Sequence, residues 1–73
     1  MNLLVVDDDA HVLESIQKRV KWERLGIDHV YKASYVSAAK IILRECRIDL
    51  LLCDIEMPQE SGLDLLAWIR EKR

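Results

Sequence analysis

The chain has 73 residues, 51% of them hydrophobic and 33% charged, and a net charge of −2. That length allows one domain, and this balance excludes a disordered segment. The small, dispersed charge gives no reason to expect nucleic acid or an acidic membrane as partner, and no apolar run approaches the ~20 residues of a bilayer span.

Leu3-Leu4-Val5-Val6 is a short continuous apolar run that suits a strand buried on both faces. It runs directly into Asp7-Asp8-Asp9. From Ala10 to Arg24 the period changes to a helical one. Val12, Ile16 and Val20 fall four apart with Leu13 beside them, while Glu14, Gln17, Lys18 and Lys21 fill the other face. Gly26, after Leu25, fits a helix C-terminal cap.

Ile27 to Lys32 alternates loosely, as an outer strand does, and carries His29 as a structural residue. Ser34 or Ser37 is placed to cap a second helix, whose buried face is Ala38, Ala39, Ile41, Ile42, Leu43 and Cys46. Ile48 to Cys53 is a third strand, too hydrophobic to face water on either side, and it ends in Asp54. Pro58 and Gly62 punctuate the following loop. Ser61 and Asp64 stand at capping-box spacing before a last helix, with Leu63, Leu66, Ile69 and Leu65 expected inward. Trp22 and Trp68 read as packing residues on helices, and Met57 as a loop anchor. Strand–helix alternation with short connections predicts an α/β fold with a parallel sheet and right-handed crossovers.

Cys46 and Cys53 form no CxxC pair, and no histidine spacing suggests zinc. Free thiols in a reducing cytoplasm are the expectation. Asp7 comes too early for a signal peptide, which also points to a cytoplasmic protein.

Sites in open parallel α/β sheets form beyond the carboxyl ends of the strands. Asp7, Asp8 and Asp54 all follow such ends. Two carboxylates ~4 Å apart repel by ~4 kcal/mol at an effective dielectric of 20. A hard divalent cation with oxygen ligands, such as Mg2+, relieves that repulsion. Asp9, directly before Ala10, reads as the cap of the first helix. His11, one turn into that helix, reads as solvent-facing.

The string Val5-Val6-Asp7-Asp8-Asp9, then Asp54-Ile55-Glu56-Met57-Pro58, then Gly62-Leu63, resembles a response-regulator receiver domain of two-component signalling. The resemblance covers all 73 residues. It implies a three-layer flavodoxin-like fold, here a truncated (βα)3 with strand order 2-1-3. It implies that Asp54 is the phospho-acceptor, taking the phosphoryl group from the phosphohistidine of a sensor histidine kinase. It implies that Asp8 binds Mg2+ directly, that Asp7 binds it directly or through a water, and that Asp54 and the backbone carbonyl of Glu56 complete the protein ligands. Trp22-Glu23-Arg24-Leu25-Gly26 further resembles receivers that carry an AraC-type DNA-binding output domain. By this resemblance the protein is a phosphorylated signalling component regulating transcription. It is no enzyme beyond Mg-dependent self-phosphorylation.

The family pattern continues with two more βα units, so residues 1–73 are expected to be a partial receiver domain. The Ser or Thr, the aromatic residue and the Lys of those units have no counterpart here, and Lys72 follows a helix rather than a strand. Order 2-1-3 leaves the strand ending in Asp54 at an edge, which predicts self-association through Leu50 to Cys53. DNA is expected as a partner only through an output domain outside these residues.

Two other readings compete. One is an interaction module kept for dimerisation without phosphorylation. The other is a haloacid-dehalogenase-type phosphatase with Asp7 as nucleophile and Asp9 as acid/base; His11 stands where those enzymes carry Thr or Val. A nucleotide site has little support, because the first βα turn contains no glycine.

Overall fold

The computed structural model describes residues 1–54, 57 and 61–72. Three strands, β1 (Asn2–Val6), β2 (His29–Ala33) and β3 (Leu50–Cys53), form one sheet in the order β2-β1-β3. Both pairings are parallel, with Leu4 opposite Tyr31 on one side and Leu51 on the other. Three helices alternate with them: α1 (Ala10–Arg19), α2 (Val36–Glu45) and α3 (Gly62–Lys72).

β1 is the central strand, apolar at every position after Asn2, and Leu3, Leu4, Val5 and Val6 are all at most 2% exposed. Strand side chains alternate between faces, so the run feeds two cores. Leu4 and Val6 pack with Ala33, Val36, Ala39, Leu43 and Leu65 on the side of α2 and α3. Leu3 and Val5 pack with Leu13 and Ile27 on the side of α1. Burying each of these β1 side chains stabilises the fold by about 1.5–3 kcal/mol relative to exposure.

Several local expectations need correction. The first helix does not reach Arg24. It ends at Arg19, where Val20 turns extended, and a short 3-10 turn follows at Trp22–Leu25. The cause is Trp22, whose indole N–H donates to the Ile16 carbonyl at 3.2 Å, satisfying one of the acceptors that a helix end leaves open. Gly26 then closes the turn at φ 79°, a left-handed conformation that glycine adopts without a Cβ penalty.

Neither Ser34 nor Ser37 caps α2. Tyr35 holds that position in extended conformation without a side-chain bond. The helix start is fixed instead by Val36, which is 4% exposed and must reach the core. Ile41, expected inward, is exposed. In α3 the expected inward set is half right: Leu65 is fully buried and Ile69 packs against the core, whereas Leu63 and Leu66 are exposed. β2 starts at His29 rather than Ile27, because Ile27 is already committed to the α1-side core. β3 starts at Leu50 rather than Ile48, and it does face solvent: Leu50 is 45% and Leu52 48% exposed.

The capping box of α3 is present. Ser61 N–H donates to Asp64 Oδ2 at 3.1 Å, and Asp64 N–H donates back to Ser61 Oγ at 3.3 Å. Both cysteines are free thiols. Among the described residues, no helix is long and apolar enough to cross a membrane.

Candidate metal and phosphoryl site

The parallel register sets the site. Val6 lies opposite Ala33 on β2 and Cys53 on β3, so all three strands end at one level. The main chain is stapled across this edge. Asp7 N–H donates to the Ala33 carbonyl at 3.0 Å, and Asp54 N–H donates to the Val6 carbonyl at 2.9 Å. These two bonds carry the β1 and β3 ladders one residue past each strand and fix where the two aspartates leave the sheet.

Asp7, Asp8 and Asp54 each offer a carboxylate oxygen, and these atoms lie within 4.8 Å of one another. Asp7 and Asp54 are half-buried, while Asp8 is exposed. An octahedral Mg2+ binds oxygen at about 2.1 Å, so two of its ligands stand at most about 4.2 Å apart. The three carboxylates therefore suit such an ion, with a small contraction or one ligand acting through a water. Glu56, whose backbone carbonyl was the fourth expected ligand, lies outside the described residues, as does Pro58.

The depression beneath the carboxylates holds about 330 Å³ and is lined by Val5, Val6, Ile16, Leu52 and Cys53 together with Asp7 and Asp54. A larger hollow of about 420 Å³ lies between the end of α1 and β2, lined by Gln17, Trp22, Glu23 and Asp28. It brings together only two carboxylate residues and no convergent set, so the chemistry points to the smaller one.

The neighbours of the cluster separate cleanly by role. Asp9 does not join it: its Oδ1 accepts from His11 N–H at 2.9 Å and caps α1. Asp9 is thus engaged as a helix cap rather than as the acid/base partner that a dehalogenase-type phosphatase would need beside Asp7. His11 is exposed, as expected. Gly62 passes so close to the Asp54 backbone that a Cβ would land on its carbonyl oxygen.

Sequence reasoning missed the part played by Cys53. Its thiol, expected only to be buried in a strand, donates to the Asp54 carbonyl at 3.4 Å. Burial pushes this thiol up from its ordinary pKa, and the Asp54 and Asp7 carboxylates add to the rise. Cys53 is therefore a neutral wall of the site rather than a nucleophile. Its place directly before Asp54 was the available signal.

The family model for the response regulator receiver domain matches residues 3–73. The chain belongs to this family. The receiver is 39% identical over 75 residues to the transcriptional regulatory protein DcuR of Escherichia coli K12, covering 100% of this chain and 31% of that protein. It is 41% identical over 70 residues to the transcriptional regulatory protein MalR of Bacillus subtilis 168, covering 96% of this chain and 29% of that one. Among solved structures it is similar to the MaeR response regulator bound to beryllium trifluoride, with TM-score 0.85 and 30% identity. That match covers 99% of this chain and 58% of the solved one. The receiver thus spans about a third of the curated relatives it matches and somewhat over half of the solved chain.

Proposed function

We propose that this receiver accepts a phosphoryl group on Asp54 from the phosphohistidine of a sensor histidine kinase, with Mg2+ held by Asp7, Asp8 and Asp54. The observation that carries the proposal is the meeting of these three carboxylates within 4.8 Å at the ends of adjacent parallel strands. A carboxylate is a poor nucleophile toward an anionic phosphoryl group until charge is neutralised. Phosphoryl transfer is chiefly positioning plus electrostatic stabilisation, and Mg2+ supplies that neutralisation when bound. The chain's own part is to hold Asp54 at the end of β3, half-buried and stapled to Val6, beside the two acids that follow β1. The carbonyl of Glu56 is kept in the proposal as a further ligand. A relative that binds beryllium trifluoride, a tetrahedral stand-in for a phosphoryl group, supports the reading.

The wider role proposed is control of transcription, through an output domain that contacts DNA and lies outside these residues. DcuR and MalR, both transcriptional regulatory proteins, support it. An AraC-type output rests on the Trp22 to Gly26 string alone. Residues 1–73 are proposed to be the first three βα units of the receiver, acting in the cytoplasm as a phospho-acceptor rather than an enzyme. Self-association through β3 is proposed as well, supported by the solvent exposure of Leu50 and Leu52 on an outer strand.

The test is label transfer from a phosphorylated histidine kinase. Transfer should require Mg2+ and should be lost in Asp54→Asn. Transfer that persists in that variant would move the acceptor elsewhere.

A further inference from the structure

The acidic run after β1 divides its labour in a way that composition alone does not disclose. Asp7 and Asp8 turn into the carboxylate cluster, and Asp9 does not. Yet three polar groups of Asp9, its N–H, its Oδ1 and its carbonyl, are engaged with three neighbours, Asp7, His11 and Leu13. Its main-chain N–H donates to Asp7 Oδ1 at 2.9 Å. Its side-chain Oδ1 accepts from His11 N–H at 2.9 Å. Its carbonyl accepts from Leu13 N–H at 3.2 Å, which closes the first turn of α1. Leu13 is in turn buried against Leu3 and Val5. One residue therefore links the Asp7 carboxylate to a helix that is anchored on the sheet.

We infer that Asp9 is a positioning residue for the cation site: by capping α1 it holds its own N–H where it fixes the rotation of the Asp7 carboxylate. The inference rests on the Mg2+ reading of the cluster. Groups that orient metal ligands typically change affinity by 10–100-fold when lost. The role belongs to the cap rather than to the charge, because Asp9 offers the cation no oxygen in this arrangement. Asn and Ser, which also cap helices, should therefore preserve the function, and Ala should not.

The experiment is a calorimetric titration of the intact protein with Mg2+ alone, on wild type, Asp9→Asn, Asp9→Ser and Asp9→Ala. All three variants remove the same charge, so differences among them report the cap. Asp9→Asn and Asp9→Ser should bind within about threefold of each other, and Asp9→Ala about tenfold more weakly than either. Leu43→Val, in the α2 core, supplies a destabilised protein with the site untouched, and its Mg2+ affinity should match wild type. Equal affinity in the three Asp9 variants would overturn the inference and leave the Mg2+ site standing. An equal loss in Leu43→Val would overturn it as a general stability effect. A wild type that binds no Mg2+ would overturn the cation reading and this inference with it.

Discussion

Gly62 and Asp54 meet main chain to main chain: the start of α3 passes so close to the end of β3 that a Cβ at Gly62 would land on the Asp54 carbonyl oxygen. The Cys53 thiol stands on the same side, 3.1 Å from where that Cβ would be. Asp54 is thus held on one side by Val6 and on another by the helix that follows it. Gly62→Ala should destabilise the fold by about 1–3 kcal/mol, since backbone must move to admit the methyl group. Gly26→Ala meets open space and suffers only the cost of its left-handed φ, about 1–2 kcal/mol. Urea unfolding of both, with Mg2+ affinity measured alongside, separates them. Gly62→Ala should disturb the site, and Gly26→Ala should leave it unchanged.

Leu65 and Leu66 differ by one position and by everything in environment. Leu65 is fully buried beside Leu4, Val6 and Leu43, whereas Leu66 is 45% exposed. Leu65→Ala should cost about 2–5 kcal/mol. Leu66→Ala should cost under about 1 kcal/mol. Similar losses in chemical denaturation would show that the packing of α3 has been assigned to the wrong face.

That pair also marks how far the sequence could be read. The parallel sheet, the buried strand Leu3 to Val6, the capping box of Ser61 and Asp64 and the meeting of Asp7, Asp8 and Asp54 follow from local pattern, whereas the strand order came from the family resemblance. Strand ends have one geometry, and apolar strands have few places to go. The face of α3 did not follow, because Leu63, Leu65, Leu66 and Ile69 give an apolar residue on nearly every side. Only docking on β1 selects Leu65. The end of α1 was equally hidden, since it depends on an indole that reaches back six residues to Ile16. The bond from Asp9 to Asp7 lies in main-chain geometry that residue types do not encode.

Asp28 gives a pH signature away from the site. Its carboxylate accepts from the Met1 ammonium at 2.7 Å, and that ammonium also donates to the Gly26 carbonyl at 2.9 Å. The hydrogen bond and then the charge of the ammonium hold the Asp28 carboxyl below its ordinary 3.8. A carboxyl lowered in the folded state adds stability that is present above 3.8 and lost as pH falls through and below that value. Wild type should therefore be slightly more stable than Asp28→Asn near neutrality, with the gap closing in acid. Both partners are exposed, so added salt should shrink the gap. A gap that widens in acid would contradict the pairing.

β3 carries no charge from Leu50 to Cys53, and Leu50 and Leu52 are both exposed. Natural sheet edges are usually guarded by a charge, a proline or a bulge. Leu52→Lys places a charge on this strand where the leucine is already half in solvent. Sedimentation should show the wild type self-associating and the variant shifted toward monomer. A wild type that stays monomeric across concentration would sink the proposed contact.

The central claim is that Asp54 is a Mg2+-dependent phospho-acceptor, and intact mass after incubation with a small phosphodonor tests it most directly. Wild type with Mg2+ should gain the mass of one phosphoryl group. Asp54→Asn, and wild type with the metal chelated, should gain none. A phosphoryl group on Asp54→Asn, or none on wild type with Mg2+ present, would contradict the assignment.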